Sequence, residues 1–273
     1  LPFENETAEV AIIGGSGMQD LEIITKPKYV HYSSRELGVC SAPMKFGTIG
    51  SRKVVFFPRH GIDHEFYPHQ IPYAANMLVL KKLGVKYIIS TSIAGSLKQT
   101  ISPGHMVIPD QFVDYSRRDD KVTFGASGLV HCPMANPYCN HLRERLIEIC
   151  GSNQLDYHPC GTVAVIDGPR FNTISESKRQ QSDGCDLVNM TQYPEVYYAR
   201  LLGMCYANIS AITDYDVGIE SSLNLDQNNW TKVLNVFNTN IKRQKDVLYD
   251  FLNYATDLSC NCAEQKLKPY FEN

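Results

Sequence analysis

Short unbroken apolar runs alternate along this chain with stretches in which apolar residues recur every three or four positions. Continuous runs such as Val54-Val55-Phe56-Phe57 suit strands covered on both faces, and the longer periodic stretches suit helices packed by one face. The pattern predicts strands over 10–13, 54–57, 87–91, 106–109, 162–167, 186–190 and 205–213, and helices over 71–83, 140–150, 174–181, 194–202 and about 227–254. In the second helix Leu142, Leu146 and Cys150 recur every fourth residue; in the fourth, Pro194 fits a first turn, where a missing N–H costs nothing. No linker or repeat divides the pattern, so it reads as one α/β domain over 1–273, with a core over about 9–255 and a tail over about 256–273. Charged 114–121 and small-residue 125–128 read as an excursion loop, and the two ends as frayed or lying against a partner.

Bulk properties exclude more than they assign. A chain of 273 residues, 43% hydrophobic, can bury a full core. Its net charge of −3 and the lack of a basic run interleaved with aromatics argue against nucleic-acid and anionic-membrane partners. The apolar runs are strand-length and the first residues are too acidic for a signal peptide, which makes the cytoplasm the expected location. Of nine cysteines, Cys260 and Cys262 form a CxC. No second Cys or His pair lies nearby in sequence, so a closed zinc site is not expected there; a local disulfide and free thiols are both compatible.

The candidate chemistry collects at predicted strand ends. Strand 205–213 runs into Asp214-Tyr215-Asp216, whose period of two puts both carboxylates on one face at the carboxyl end of a sheet. Paired acids there suit a basic heterocycle, one acting as general acid and the other accepting hydrogens from an exocyclic amine. The first strand leads into Gly14-Gly15-Ser16-Gly17, where successive N–H groups and the Ser16 hydroxyl can converge on an anion. As a dinucleotide fingerprint it fails, because the third glycine position is Asp20. Pro58-Arg59-His60-Gly61 offers the Arg59 fork to an oxyanion or, were the motif to stand alone, to a surface ion pair. His60 and His64 have i, i+4 metal spacing, but Pro58 and Gly61 argue against a helix presenting both. Ser92 and the Ile93 backbone follow strand 87–91, and Thr191 precedes the fourth helix, whose N-terminus favours anions. Phe171, in Asp167-Gly168-Pro169-Arg170-Phe171, is either an exposed wall for a planar ring or core.

The ordered set GGSG, RHG, TSIAGS, HCPMANP, DGPRF, NMTQYPEV and TDYD resembles the trimeric purine nucleoside phosphorylase family, in its 5′-methylthioadenosine phosphorylase branch, over roughly residues 9–255. The resemblance implies an α/β domain with a central mixed, distorted sheet flanked by helices, forming a homotrimer. It implies no cofactor and no metal, with inorganic phosphate as co-substrate in cleavage of an N-glycosidic bond. Carried over by position, Ser16, Arg59, His60, Ser92, Ile93 and Thr191 are implied phosphate ligands, and Met190 lies under the ribose. Phe171 packs on the base, Asp214 protonates the purine N7, and Asp216 reads the 6-amino group. His131 reaches a neighbouring subunit's site, and Trp230, Val233 and Leu234 line a pocket for the 5′ alkylthio group. Ser92 stands where this branch usually has Thr, Ile93 is bulkier than the common residue, and Trp230 replaces a frequent Val, so the indole either narrows that pocket or shifts it outward. The CxC and Cys139 and Cys205 match cysteine positions of some relatives, and the resemblance leaves their pairing open.

Three other readings compete. A 6-oxopurine phosphorylase of the same fold is disfavoured because Asp214, rather than an Asn, faces the base. A catalytically idle nucleoside-binding protein would be free to lose Arg59, Asp214 or the hydroxyls, and all are present. A nicotinamide oxidoreductase is disfavoured by the broken glycine fingerprint.

Overall fold

The computed structural model describes residues 6–34, 38–118, 131–219, 227–254 and 257–264. Along them run β1 (Val10–Gly14), β2 (Thr25–Val30), β3 (Ser33–Ser34), β4 (Gly38–Val39), β5 (Met44–Ile49), β6 (Arg52–Pro58), α1 (Tyr73–Lys82), β7 (Tyr87–Ser96), β8 (Met106–Val107), β9 (Gln111–Asp114), α2 (Asn140–Ser152), β10 (Tyr157–His158), β11 (Thr162–Val165), α3 (Ile174–Ser182), β12 (Leu187–Asn189), α4 (Gln192–Leu201), β13 (Cys205–Tyr215) and α5 (Gln227–Tyr254). The main sheet has the order β10-β8-β13-β7-β1-β6-β5-β2, with β12, β11 and β9 branching from β7. β6, β1, β7 and β13 are mutually parallel, whereas β5, β8 and β12 enter antiparallel, so the sheet is mixed.

Both faces of this sheet are covered, which is why its central strands read as continuous apolar runs. Val10 and Ile12 of β1 pack with Leu142 and Leu146 of α2 and with Leu248 and Phe251 of α5. Their neighbours Ala11 and Ile13 face the other layer, with Met77 and Leu80 of α1 and Val196 and Ala199 of α4. Among the described residues no helix is long and apolar enough to cross a membrane.

All seven predicted strands and all five predicted helices are present, with shifted ends. The strand expected over 87–91 runs to Ser96, because β13 pairs with it throughout. That expected over 106–109 shrinks to two residues. The fourth helix is assigned from Gln192, but Tyr193 has extended backbone angles, so the regular helix starts at Pro194. The pattern missed β2, whose sequence TKPKYV is almost wholly exposed at the sheet edge and carries no apolar run. Of the expected excursion loop, 119–121 and 125–128 lie outside the described residues, and Asp114 belongs to β9.

One irregularity opens the sheet. β1 pairs with β7 only as far as Ser90, and on that same edge β12 takes over at Gly95. Between them the edge carbonyls go to side chains: the Thr91 carbonyl accepts from Arg59 Nη1 (3.1 Å) and the Ile93 carbonyl from Asn189 Nδ2 (2.9 Å). The cleft lies at this gap.

Candidate active site

One cavity is lined by Gly15 and Ser16 after β1, Arg59 and His60 after β6, and Ser92 to Gly95 of β7. Its other wall is Phe171 and Asn172, Asn189 to Thr191, and Thr213, Asp214 and Asp216 at the end of β13. The six residues matched to phosphate ligands therefore share this cavity with Phe171, Met190 and the acid pair. A second cavity shares Ser16, Ile93, Phe171, Thr213 and Asp214 with the first, and adds Trp230, Val233, Leu234 and Phe237 of α5. The two are continuous across Asp214 and Phe171.

The acid pair lines one cavity, as its period of two predicted, beyond an irregularity in the strand. β13 continues to Tyr215 and carries a bulge at Thr213, since Ile212 pairs with Ala94 and Asp214 with Gly95. A bulge re-aims the side chains beyond it. Asp214 and Asp216 then flank Gly95, where an added Cβ would lie 3.8 Å from Asp214 Oδ2, 3.9 Å from Asp216 Cβ and 3.2 Å from Val188. Burial raises the Asp214 carboxyl from its ordinary value to about 6; a 2.6 Å hydrogen bond from Thr213 Oγ1 opposes the rise, and the Asp216 charge adds to it. Asp216 is oriented by Asn172, whose Nδ2 donates to Oδ2 (3.0 Å) and whose amide also pairs reciprocally with Gln180 of α3. Asn172 and Gln180 are site residues that sequence reasoning missed; a polar residue directly after the exposed Phe171 was the available signal.

The donor set is more committed than its motifs suggested. The planar fork of Arg59, expected to grip an oxyanion, is instead spent on Glu195: Nε and Nη2 donate to its two oxygens at 2.7 and 2.8 Å, both side chains being buried. Nη2 also donates to Ser90 Oγ, and Nη1 to the Thr91 carbonyl, which leaves one Nη1 hydrogen for the cavity beside Gly15. Glu195 was missed as well; its trace was an acid in the first turn of α4 following an Asn-Met-Thr segment. The Gly15 amide, expected to face an anion, donates to Thr91 Oγ1 (3.0 Å). The amides of Thr191 and Gln192 at the α4 N-terminus both donate to Asn189 Oδ1, at 2.7 and 3.0 Å, so a side chain already occupies much of that helix end. Ser92 Oγ donates to Asn208 (3.0 Å) within a buried network with Ser210.

His60 and His64 lie ring against ring. Their rings stack at 4.4 Å, with an interplanar angle of 14°, in turns rather than on a helix. His60 Nδ1 lies 2.9 Å from the Phe66 carbonyl, which can only accept, so Nδ1 carries the hydrogen and Nε2 is an acceptor. Burial, reinforced by the charge of Arg59, lowers its pKa to about 4 and keeps the imidazole neutral.

Phe171 is 61% exposed, which excludes a core role and leaves it as a cavity wall. Met190 packs against Gly168, at φ +66°, where a Cβ would lie 2.5 Å from the Met190 sulfur. Trp230 is 47% exposed at the rim of the second cavity and Val233 is buried within it, so the indole borders the mouth rather than filling it. His131 is exposed and lines neither cavity of its own chain.

The comparisons agree with this geometry. The family model described as Phosphorylase superfamily matches residues 9–253. The S-methyl-5′-thioadenosine phosphorylase of Pyrococcus horikoshii is 39% identical over 257 residues, covering 94% of this chain and 96% of its own. That of Saccharolobus solfataricus is 37% identical over 264 residues, covering 95% and 96%. The methylthioadenosine phosphorylase of Schistosoma mansoni in complex with adenine superposes with a TM-score of 0.85 at 30% identity, covering 94% of this chain and 96% of that one. Fold, cleft and sequence together make this chain a member of the phosphorylase superfamily.

Proposed function

We propose that the protein cleaves the N-glycosidic bond of 5′-methylthioadenosine, and of adenosine, with inorganic phosphate, releasing adenine and the pentose 1-phosphate. The observation that carries this reading is Asp214, a half-buried carboxyl raised to about 6, close to neutrality, and placed where the two cavities meet. Near neutral pH such a carboxyl delivers a proton to the purine N7 as the glycosidic bond breaks, so the base departs neutral. Asp216, turned by Asn172, keeps its second oxygen for the 6-amino group. Phe171 covers the base, and Met190 underlies the sugar.

Phosphate sits among the Ser16, Ser92 and Thr191 hydroxyls, the Ile93 backbone and the remaining Nη1 hydrogen of Arg59. Neutral His60 accepts the hydrogen of monohydrogen phosphate at Nε2, which aims charged oxygens at the sugar and stabilises its cationic transition state. The scheme uses no cofactor and no metal at the reacting atoms. The second cavity, under Trp230, Val233 and Leu234, seats the alkylthio group. Chains assemble as homotrimers in which an exposed His131 completes a neighbour's site, working in the cytoplasm, where nucleoside and phosphate meet. The names of the relatives support this substrate, as do structures of the Schistosoma mansoni protein with adenine and, in a mutant form, with methylthioadenosine.

Free base released from 5′-methylthioadenosine, adenosine and inosine, each with and without phosphate, tests the reading. We expect phosphate-dependent adenine release, greatest from the methylthio substrate. Hypoxanthine release alone would overturn the role given to Asp214, and no release from any substrate would favour an idle binder.

A further inference from the structure

The CxC of the tail does not stand alone in space. Beyond α5, His141 Nε2 donates to the Asp257 carbonyl (2.9 Å), and Cys260 and Cys262 lie against Cys139 and Cys205. The four sulfurs all lie within 4.8 Å of one another. Cys139 is the N-cap of α2, and Cys205 is the first residue of β13. Cys139, Cys205 and Cys262 are buried, and Cys260 reaches the surface.

We propose that these four thiolates form a structural site for one Zn²⁺ ion, which fastens the C-terminal tail to the body of the domain. Four sulfurs at the corners of a zinc tetrahedron, with Zn–S of about 2.3 Å, lie about 3.8 Å apart along each edge. The Cys139–Cys260 separation is 3.8 Å, and that of Cys205–Cys260 is 2.8 Å, longer than a disulfide bond and shorter than the tetrahedral edge. Cys260 therefore lies against both core cysteines, nearer to Cys205. Loading the ion parts Cys205 and Cys260 by about 1 Å, within reach of a small side-chain rotation of the exposed Cys260.

The surroundings suit the charge that results. Coordination releases the thiol protons to solvent and leaves a tetrathiolate of net charge about −2 around the ion. The α2 N-terminus favours negative charge at Cys139. The Cys262 amide donates to the Cys260 sulfur at 3.4 Å, an N–H···S contact that favours a thiolate. Sequence spacing hid the site because the partners of the CxC lie 121 and 55 residues from Cys260. The cluster sits at the start of β13 and Asp214 near its end, so roughly 30 Å of extended strand separates the ion from the reacting atoms. Its role is to hold the tail.

The test uses the full chain, purified under reducing conditions without chelator, with zinc measured per chain. We expect about one zinc per chain, falling at least tenfold in the Cys260→Ser/Cys262→Ser double variant and unchanged in Cys160→Ser, whose exposed thiol lies outside the cluster. Cobalt(II) added to the metal-free protein should give the intense thiolate charge-transfer and tetrahedral d–d bands of a four-sulfur site, absent from the double variant. Chelation should lower the unfolding midpoint of the wild type and not of the double variant, while phosphorolysis at low temperature is retained in both. Zinc retained by the double variant would overturn the proposal. So would metal-free protein whose peptide map shows these four cysteines joined in disulfides, or cobalt spectra that lack thiolate charge transfer. None of these outcomes depends on which nucleoside the cleft accepts.

Discussion

At the scale of the residue, Asp214 trades stability for chemistry. Its carboxyl is raised to about 6 in the fold against 3.8 in a free chain, a difference that corresponds to roughly 3 kcal/mol. Between those values the folded state holds a proton that the unfolded state has lost, so stability falls as pH rises through the window, and the full cost is present above it. Asp214→Asn keeps the shape and removes the cost. We expect the variant to be more stable than the wild type at pH 7 by a few kcal/mol and no different at pH 3, by chemical denaturation at both pH values. Equal stability at pH 7 would mean that Asp214 is not desolvated. The same variant should lose most adenine-nucleoside turnover and gain relative activity on inosine, and unchanged specificity would remove Asp214 from base recognition. Glu195 poses the opposite problem, because it neutralises the wholly buried Arg59 and also accepts from Ser90 and Tyr206. Glu195→Gln leaves that cation uncompensated and should cost about 3–5 kcal/mol in denaturant unfolding. A cost under about 1 kcal/mol would show that the pair is not the anchor of this wall.

At the scale of the element, the cleft depends on how β7 changes partners and on where α5 begins. β7 gives up β1 at Ser90 and gains β12 at Gly95, so a half-strand of unpaired edge faces Arg59 and Asn189. Helix α5 was legible from its long apolar repeat, yet its placement beside β13, which brings Trp230, Val233 and Leu234 into one cavity with Asp214, is a packing outcome. Two exposed aromatics should therefore separate by substrate. Phe171→Ala, in a loop before α3, should leave stability within about 0.5 kcal/mol and raise KM for every nucleoside. Trp230→Val should change the ratio of kcat/KM between 5′-methylthioadenosine and adenosine, since only the former carries the alkylthio group proposed to sit beside Trp230. An unaltered ratio would take Trp230 out of the 5′ pocket.

At the scale of the whole molecule, the residues proposed to hold phosphate, sugar and base line the cavities of a single chain, and His131 is left outside both. If a neighbour's His131 completes each site, activity per chain should fall on dilution as trimers dissociate, in step with the sedimentation coefficient. His131→Ala should weaken nucleoside binding without altering stability of the isolated chain. Full activity in monomers at high dilution would refute the shared site. The pH profile belongs to this scale as well. Phosphorolysis should decline above about pH 6 as Asp214 loses its proton, with no inflection from His60 until pH approaches 4. Because His60 is held below its free value, its contribution to stability is present above about pH 6.5 and is lost as pH falls toward 4.

The amino-acid sequence by itself determined which segments become strands and helices, since a strand buried on both faces must be apolar throughout and a packed helix must repeat its apolar face. It also determined which side chains meet in the cleft, because strand ends with glycine, hydroxyl and charged residues in one sheet must come together at one edge. Tertiary structure alone decided what those side chains are free to do. Whether Arg59 opens to an anion or closes on Glu195, whether the Gly15 amide faces solvent or Thr91, and where Asp214 points after the bulge all depend on partners 136, 76 and about 120 residues away. The cysteines carry the same lesson. A CxC without a neighbour along the chain acquires Cys139 and Cys205 in space, because contacts within bonding distance follow the path of the fold and not the order of residues.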